Sequence, residues 1–268
     1  MSDRVLCTIS DGVADVRLNR ADKRNALDPA MFAAIASTGE RLRHTPGVRA
    51  VVLSGEGASF CAGLDFGSFQ AMAGNGDRAA LAEPAAIPQD SPVHALGQHA
   101  VYVWRQIPAP VIAAVQGHAL GGGFQLALGA DLRIVAPTVQ MSVLEIRWGL
   151  IPDMCGTMLL PPLVGLERAK ELTFTGRMID GAEAVRIGLA SKIADDPRAE
   201  ALALARELAT KSPDALRTGK ALLEQGAYGS LSDGFKAEQA GIRALIGSPN
   251  QVEAVKAFFE KRLPAFAD

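Results

Sequence analysis

The sequence predicts an α/β core followed by a helical C-terminal third. Two patterns carry that reading: short apolar, strand-like runs alternate with helical periodicity up to about residue 165, and helical periodicity alone follows. Composition is the third observation. Of 268 residues, 49% are apolar and 21% charged, which supplies one sizeable core rather than a disordered chain. The core is assigned to residues 1–198 and the helical region to 199–268.

The elements follow in order. Val5, Cys7 and Ile9, then Val13, Val16 and Leu18, flank Asp11-Gly12 and predict a hairpin. Asp28-Pro29 reads as an N-cap with a first-turn proline, and Met31, Ile35 and Leu42 then mark one helical face. The run 50–53, bounded by Gly47 and Gly55, reads as a buried strand. Residues 74–92, rich in Gly, Pro and acids, predict an irregular surface segment of the kind that covers substrates. A helix over 93–106 comes next, then a strand over 111–115, a glycine turn, a helix over 124–128 and strands over 132–136 and 139–143. Beyond Val164-Gly165, helical segments carry Ala169, Leu172 and Phe174, then 182–187, then 199–210. Ser212-Pro213 and Ser248-Pro249 open two more, the second with Gln251 at the capping-box position.

Several function classes are excluded at this level. Lys and Arg total 27 against 29 Asp and Glu, so no basic footprint for nucleic acid or anionic lipid is present. Cys7, Cys61 and Cys155 form no C-x-x-C pair, which argues against a disulfide framework or zinc knuckle and for a reducing compartment. The opening residues lack an apolar signal core, and the chain reads as soluble and cytoplasmic. Residues 106–130 hold no charged side chain and are long enough to span a bilayer. Pro108, Pro110, Gly117, Gly121, Gly122, Gly123 and Gly129 fit a buried strand, a turn and a short helix better than a membrane span. His94 and His99 have no ligand spacing, so no metal is expected.

Three segments carry candidate chemistry. Gly117-His118-Ala119-Leu120-Gly121-Gly122-Gly123-Phe124-Gln125 places glycines between a strand and a helix, where free N–H groups suit a developing oxyanion. Tight helix packing explains the glycines equally well, and neither G-x-G-x-x-G nor a P-loop is present. Ser59-Phe60-Cys61-Ala62-Gly63-Leu64-Asp65 is a second small-residue turn after a strand. Cys61 has no spaced histidine or acid and reads as buried filler. Third, Glu145 and Asp153 stand eight residues apart, with Gly149 and Pro152 interrupting any helix between them. Two carboxylates brought into an apolar pocket acquire raised, separated pKa values suited to acid and base roles. On spacing alone, surface acids, or Asp153 as a helix cap, are the simpler reading.

Together and in order, these segments resemble the crotonase superfamily, the enoyl-CoA hydratase/isomerase family. The resemblance also covers Leu18-Asn19-Arg20, Lys23-Arg24-Asn25-Ala26-Leu27, Ala130-Asp131-Leu132-Arg133-Ile134, Gly149-Leu150-Ile151-Pro152, Leu172-Thr173-Phe174-Thr175-Gly176 and Phe259-Glu260-Lys261-Arg262. It implies a spiral of ββα units, with residues 199–268 building a homotrimer or a dimer of trimers. It implies an acyl-CoA thioester whose carbonyl is polarised by the N–H groups of Leu64 and Gly122. It places CoA at Lys23, Arg24, Ala26, Ala62, Gly63 and Asp65, and at Lys261 from a neighbouring subunit. No metal or separate cofactor is implied, since CoA arrives as part of the substrate.

The acids decide which reaction the resemblance implies. Hydratases of the family use two glutamates, at the positions of Gln125 and Glu145, and an amide at 125 exchanges no proton near neutrality. Gln125 is left to hold a water or the substrate. Asp153 stands where dienoyl-CoA isomerases carry an aspartate, and they also have the acid matching Glu145, although their third acid, at position 125, is missing here. Double-bond isomerisation by Glu145 and Asp153 is therefore expected. Hydration of a 2-enoyl-CoA is the alternative, and a non-catalytic acyl-CoA binder is the alternative of another class. The acyl pocket is expected to be walled by residues 66–104.

Overall fold

The computed structural model describes residues 3–65, 67, 87 and 91–268, so most of the expected covering segment at 74–92 and of the pocket wall at 66–104 lies outside the described residues. Strand β1 (Val5–Ser10) pairs antiparallel with β2 (Val13–Leu18). Asp11 and Gly12 both take positive φ, 50° and 77°, as a two-residue hairpin turn whose twist matches the strands requires. Helix α1 (Pro29–Arg43) starts where the Asp28 side chain accepts the Met31 N–H at 2.8 Å, and it buries Met31, Ile35 and Leu42.

The large sheet continues through β3 (Ala50–Gly55), β4 (Val111–Val115), β6 (Leu132–Val135) and β8 (Lys192–Ile193), all parallel, in the order β1-β2-β3-β4-β6-β8. Between them run helix α2 (Leu96–Gln106), strand β5 (His118–Leu120), helix α3 (Gly122–Leu128) and strand β7 (Gln140–Ser142). Strands β5 and β7 pair parallel in a second, smaller sheet, and single-residue bridges Cys61–Ala119 and Met141–Ile179 extend it. The chain thus passes repeatedly from a large-sheet strand to the small sheet and then into a helix. This is the expected spiral of ββα units, with β5 built from residues that read as part of the glycine turn.

Alternation along β3 explains its unbroken apolar sequence. Val51 and Leu53 face a core built with α1, α2 and α3, including Leu42, Trp104 and Phe124. Ala50 and Val52 face the other way, where Ala201 and Ala205 of helix α8 (Pro197–Ala209) meet Val13, Ile112 and Ile134. The boundary drawn between residues 198 and 199 therefore falls inside a helix that closes the second face of the sheet.

Four helices separate β7 from β8: α4 (Gly156–Leu159), α5 (Pro161–Val164), α6 (Leu166–Thr175) and α7 (Gly181–Arg186). The region that stands on the core surface starts later, with α9 (Pro213–Tyr228), α10 (Leu231–Leu245) and α11 (Pro249–Glu260). Ser212, Ser230 and Ser248 cap these helices, and Gln251 reaches back to the Gly247 N–H at 3.0 Å. Lys220 pins α9 to the core through Asp131 at 2.8 Å and the Ala109 carbonyl at 3.1 Å. Leu223, Phe235, Phe258 and Phe259 remain exposed.

One expectation changes in detail and another is met. The helix expected from 93 begins at Leu96, with Ala95 extended and offering no side-chain cap. The uncharged run 106–130 is divided among β4, β5 and α3, and among the described residues no helix is long and apolar enough to cross a membrane.

Candidate active site

Two loops form one wall of the site, and Asn25 joins them. Arg24 and Asn25 are both left-handed, φ 49° and 55°, which turns the Asn25 side chain inward. There its Oδ1 accepts the Arg20 N–H at 2.8 Å, and its Nδ2 donates to the carbonyls of Glu56 at 3.0 Å and Ser59 at 2.8 Å. Asn25 is fully buried, so these bonds satisfy a side chain that would otherwise be costly. Sequence reading saw it only as one letter of a motif. The consecutive left-handed pair before the Asp28 cap is the feature that singles it out.

The same loops set the direction of the Leu64 N–H. Leu27 pairs with Leu64 in a parallel bridge: the Leu27 N–H donates to the Gly63 carbonyl at 2.8 Å, and the Asp65 N–H donates to the Leu27 carbonyl at 3.0 Å. In such a bridge Leu64 itself points its polar groups away from its partner. Among the described residues its N–H donates to nothing.

The glycine run faces this turn. Gly122 is the first residue of α3, so its N–H has no partner within the helix, and among the described residues it has none elsewhere. Gly63 has φ 89°, and a methyl group placed on it would lie 2.5 Å from the Leu120 carbonyl oxygen and 3.7 Å from the Gly122 nitrogen. The two bends therefore meet, with the unused N–H groups of Leu64 and Gly122 on adjoining residues. One carbonyl oxygen held by both is the arrangement that stabilises an oxyanion.

Glu145 stands beside the second bend. It opens a 3-10 turn (Glu145–Trp148) that ends at left-handed Gly149, and it is 9% exposed. Its Oε1 accepts from Gln125 Nε2 at 2.6 Å and lies 3.3 Å from where a Gly121 side chain would begin. Its Oε2 is buried without a hydrogen-bond partner among the described residues. Burial raises the Glu145 pKa and the Asp153 charge adds to the rise, against the Gln125 amide and nearby backbone N–H groups. Asp153 is exposed on the following turn, before α4. The bend expected from Gly149 and Pro152 is present, and it brings both acids within electrostatic reach.

The remaining expected residues divide. Lys23 and Arg24 are exposed on the loop beside Ala62, whose N–H donates to the Arg24 carbonyl at 2.9 Å. Ala26 is buried, and its carbonyl accepts from Arg20 at 3.1 Å. Asp65 is not free for a ligand: it pairs with Arg20 at 2.7 Å and accepts the Gly67 N–H at 2.9 Å. Burial would raise the Asp65 pKa, but these bonds and the charges of Arg20 and Lys23 lower it. Gln125, expected to hold substrate or water, is fully buried and bonded to protein at both ends of its amide. Lys261 caps α11 on the exposed surface. Cys61 is filler: it is fully buried, its thiol donates to the Asn25 carbonyl at 3.1 Å, and burial pushes its pKa up to about 12.

Comparison with known proteins identifies the family. The family model described as enoyl-CoA hydratase/isomerase matches residues 8–268. The mouse protein named enoyl-CoA hydratase domain-containing protein 2, mitochondrial, is 33% identical over 96% of this chain and 85% of its own length. Human methylglutaconyl-CoA hydratase, mitochondrial, is 32% identical over 95% of this chain and 74% of its own. The crystal structure of enoyl-CoA hydratase from Bacillus anthracis superposes with a TM-score of 0.88 at 30% identity, covering 98% of both chains. The chain belongs to the enoyl-CoA hydratase/isomerase family, within the crotonase superfamily, and is an enzyme of that family.

Proposed function

We propose that this enzyme moves a double bond along an enoyl- or dienoyl-CoA, as the dienoyl-CoA isomerases of its family do. One of the pair Glu145 and Asp153 takes a proton from the acyl chain. The dienolate oxygen is held by the N–H groups of Leu64 and Gly122, and the other acid, which enters the cycle protonated, donates its proton further along the chain. Positioned acid–base help of this kind contributes ~10²–10⁴ in rate, and an oxyanion donor ~10²–10³. Lys23, Arg24 and the backbone at Ala62 receive the CoA end, with Lys261 reaching the phosphates from a neighbouring subunit of a trimer. No metal or further cofactor takes part.

The observation that carries isomerisation over hydration is the state of Gln125. Hydration by this family needs a second carboxylate there, and the amide is committed to protein partners. The relatives named hydratases are the reason to keep water addition as the second reading. Incubation with 2-enoyl-, 3-enoyl- and 3,5-dienoyl-CoA, followed by ultraviolet absorbance, separates the two. Interconversion of double-bond isomers is expected. Efficient water addition to 2-enoyl-CoA would overturn the proposal.

A further inference from the structure

We infer that Gln125 is a positioning residue: its amide ties the Glu145 carboxylate to the turn carrying Asp153 and fixes how the two acids stand to one another. Its consequence for turnover rests on the acid-pair reading above, whereas the linkage itself rests on the hydrogen bonds. The Met154 and Gly156 N–H groups both donate to Gln125 Oε1, at 2.8 and 3.0 Å. Two donors on one atom require the oxygen there, so the amide NH₂ must face Glu145. Nε2 then donates to Glu145 Oε1 at 2.6 Å, which leaves Oε2 as the oxygen without a partner.

The turn is shaped for this grip. Cys155, between the two donors, is left-handed at φ 69°, and the N–H groups on either side converge on one point. Convergent N–H groups of this kind also hold anions. A glutamate at 125 would fit the same donors, but it would face Glu145 with an acceptor where the amide has a donor. Replacing Gln125 by the glutamate of the hydratases is therefore not a repair. It removes the bond that favours ionised Glu145 and adds a second negative charge beside it.

Among the described residues, few groups act on Glu145. Asp153 acts on it from the following turn, α3 contributes the neutral Gln125, and the Gly121 bend contributes backbone only. On α6, Arg168 and Glu171 are paired with each other at 3.2 Å, and Glu171 is also held by Arg177.

The test compares Gln125→Met and Gln125→Glu with the wild type on whichever thioester the wild type turns over. Both variants are expected to lower kcat by at least ~10-fold with KM nearly unchanged, because the buried amide touches no substrate. The limb of the pH profile set by Glu145, acid if it is the base and alkaline if it is the acid, is expected to rise by about one pH unit, the worth of a hydrogen bond to a charged group. A pH profile with neither limb moved, or a Gln125→Glu variant that hydrates 2-enoyl-CoA efficiently, would overturn the inference. A second measurement needs no variant to fold: the Gln125 side-chain amide resonance of the wild type should shift with the Glu145 titration, and a flat resonance would equally overturn it. If the wild type proves to be a hydratase, the isomerase proposal falls while this titration still stands or fails by itself.

Discussion

Gly63→Ala tests whether the two bends form one site. The residue sits at φ 89°, where an L side chain costs ~1–2 kcal/mol. Its new methyl would be 2.5 Å from the Leu120 carbonyl oxygen, roughly 1 Å inside van der Waals contact. Leu120 cannot retreat, because β5 pairs with β7 and its N–H is bonded to the Cys61 carbonyl at 3.1 Å. The segment carrying Leu64 must move instead, taking its N–H away from Gly122. Misplacing a catalytic group by 1 Å costs about 10², and losing an oxyanion donor ~10²–10³. We expect kcat to fall by about that factor, with stability lower by ~2–3 kcal/mol from the strained φ and weakened loop bonds. Initial rates with the preferred thioester, paired with urea unfolding, measure both. A folded variant whose kcat stays within about threefold of wild type would refute the facing-bend geometry.

Three other substitutions follow from the same contacts. Glu145→Gln should lower kcat by ~10²–10⁴ yet raise the melting temperature near pH 8. The raised pKa means that folded Glu145 keeps its proton where the unfolded chain has lost it, so stability falls as pH rises from the ordinary carboxylate range through the raised value. A neutral amide escapes that cost, and the two proteins should converge in stability below the ordinary carboxylate pKa. Asp153→Asn should lower kcat by ~10²–10⁴ and move the limb of the pH profile set by Glu145 downward, since it removes a charge that raises Glu145. Asn25→Ala strands the buried Ser59 carbonyl and the partly buried Arg20 N–H and Glu56 carbonyl, and at up to about 1 kcal/mol each it should cost ~2–3 kcal/mol in denaturant titration.

Local chemistry was legible in the sequence where neighbours in the chain decide the outcome. Asp11-Gly12 dictates its own hairpin, and Asp28-Pro29 and Ser248-Pro249 set helix starts through bonds only a few residues long. Strand β5 escaped because three residues leave no periodicity to detect, and because its partner β7 lies well downstream. Helix α8 reads as one more amphipathic helix. Only the second apolar face of β3 explains why it belongs to the core. At the site, both bends and both acids stood out in the sequence as candidates, but only the family resemblance gave them roles, since glycines and carboxylates have packing and surface uses that local pattern does not separate. Asn25, Asp65 and Gln125 differ: each commits at least one polar atom to a partner 20 or more residues away, a commitment no local pattern displays.

The most direct measurement is a crystal structure with a non-reactive 3-enoyl-CoA analogue bound. The thioester oxygen should lie within ~3 Å of both the Leu64 and Gly122 nitrogens, with the Glu145 and Asp153 carboxyl groups against the carbons that lose and gain a proton. A thioester oxygen bound elsewhere, or an acyl chain that leaves both carboxylates untouched, would contradict it.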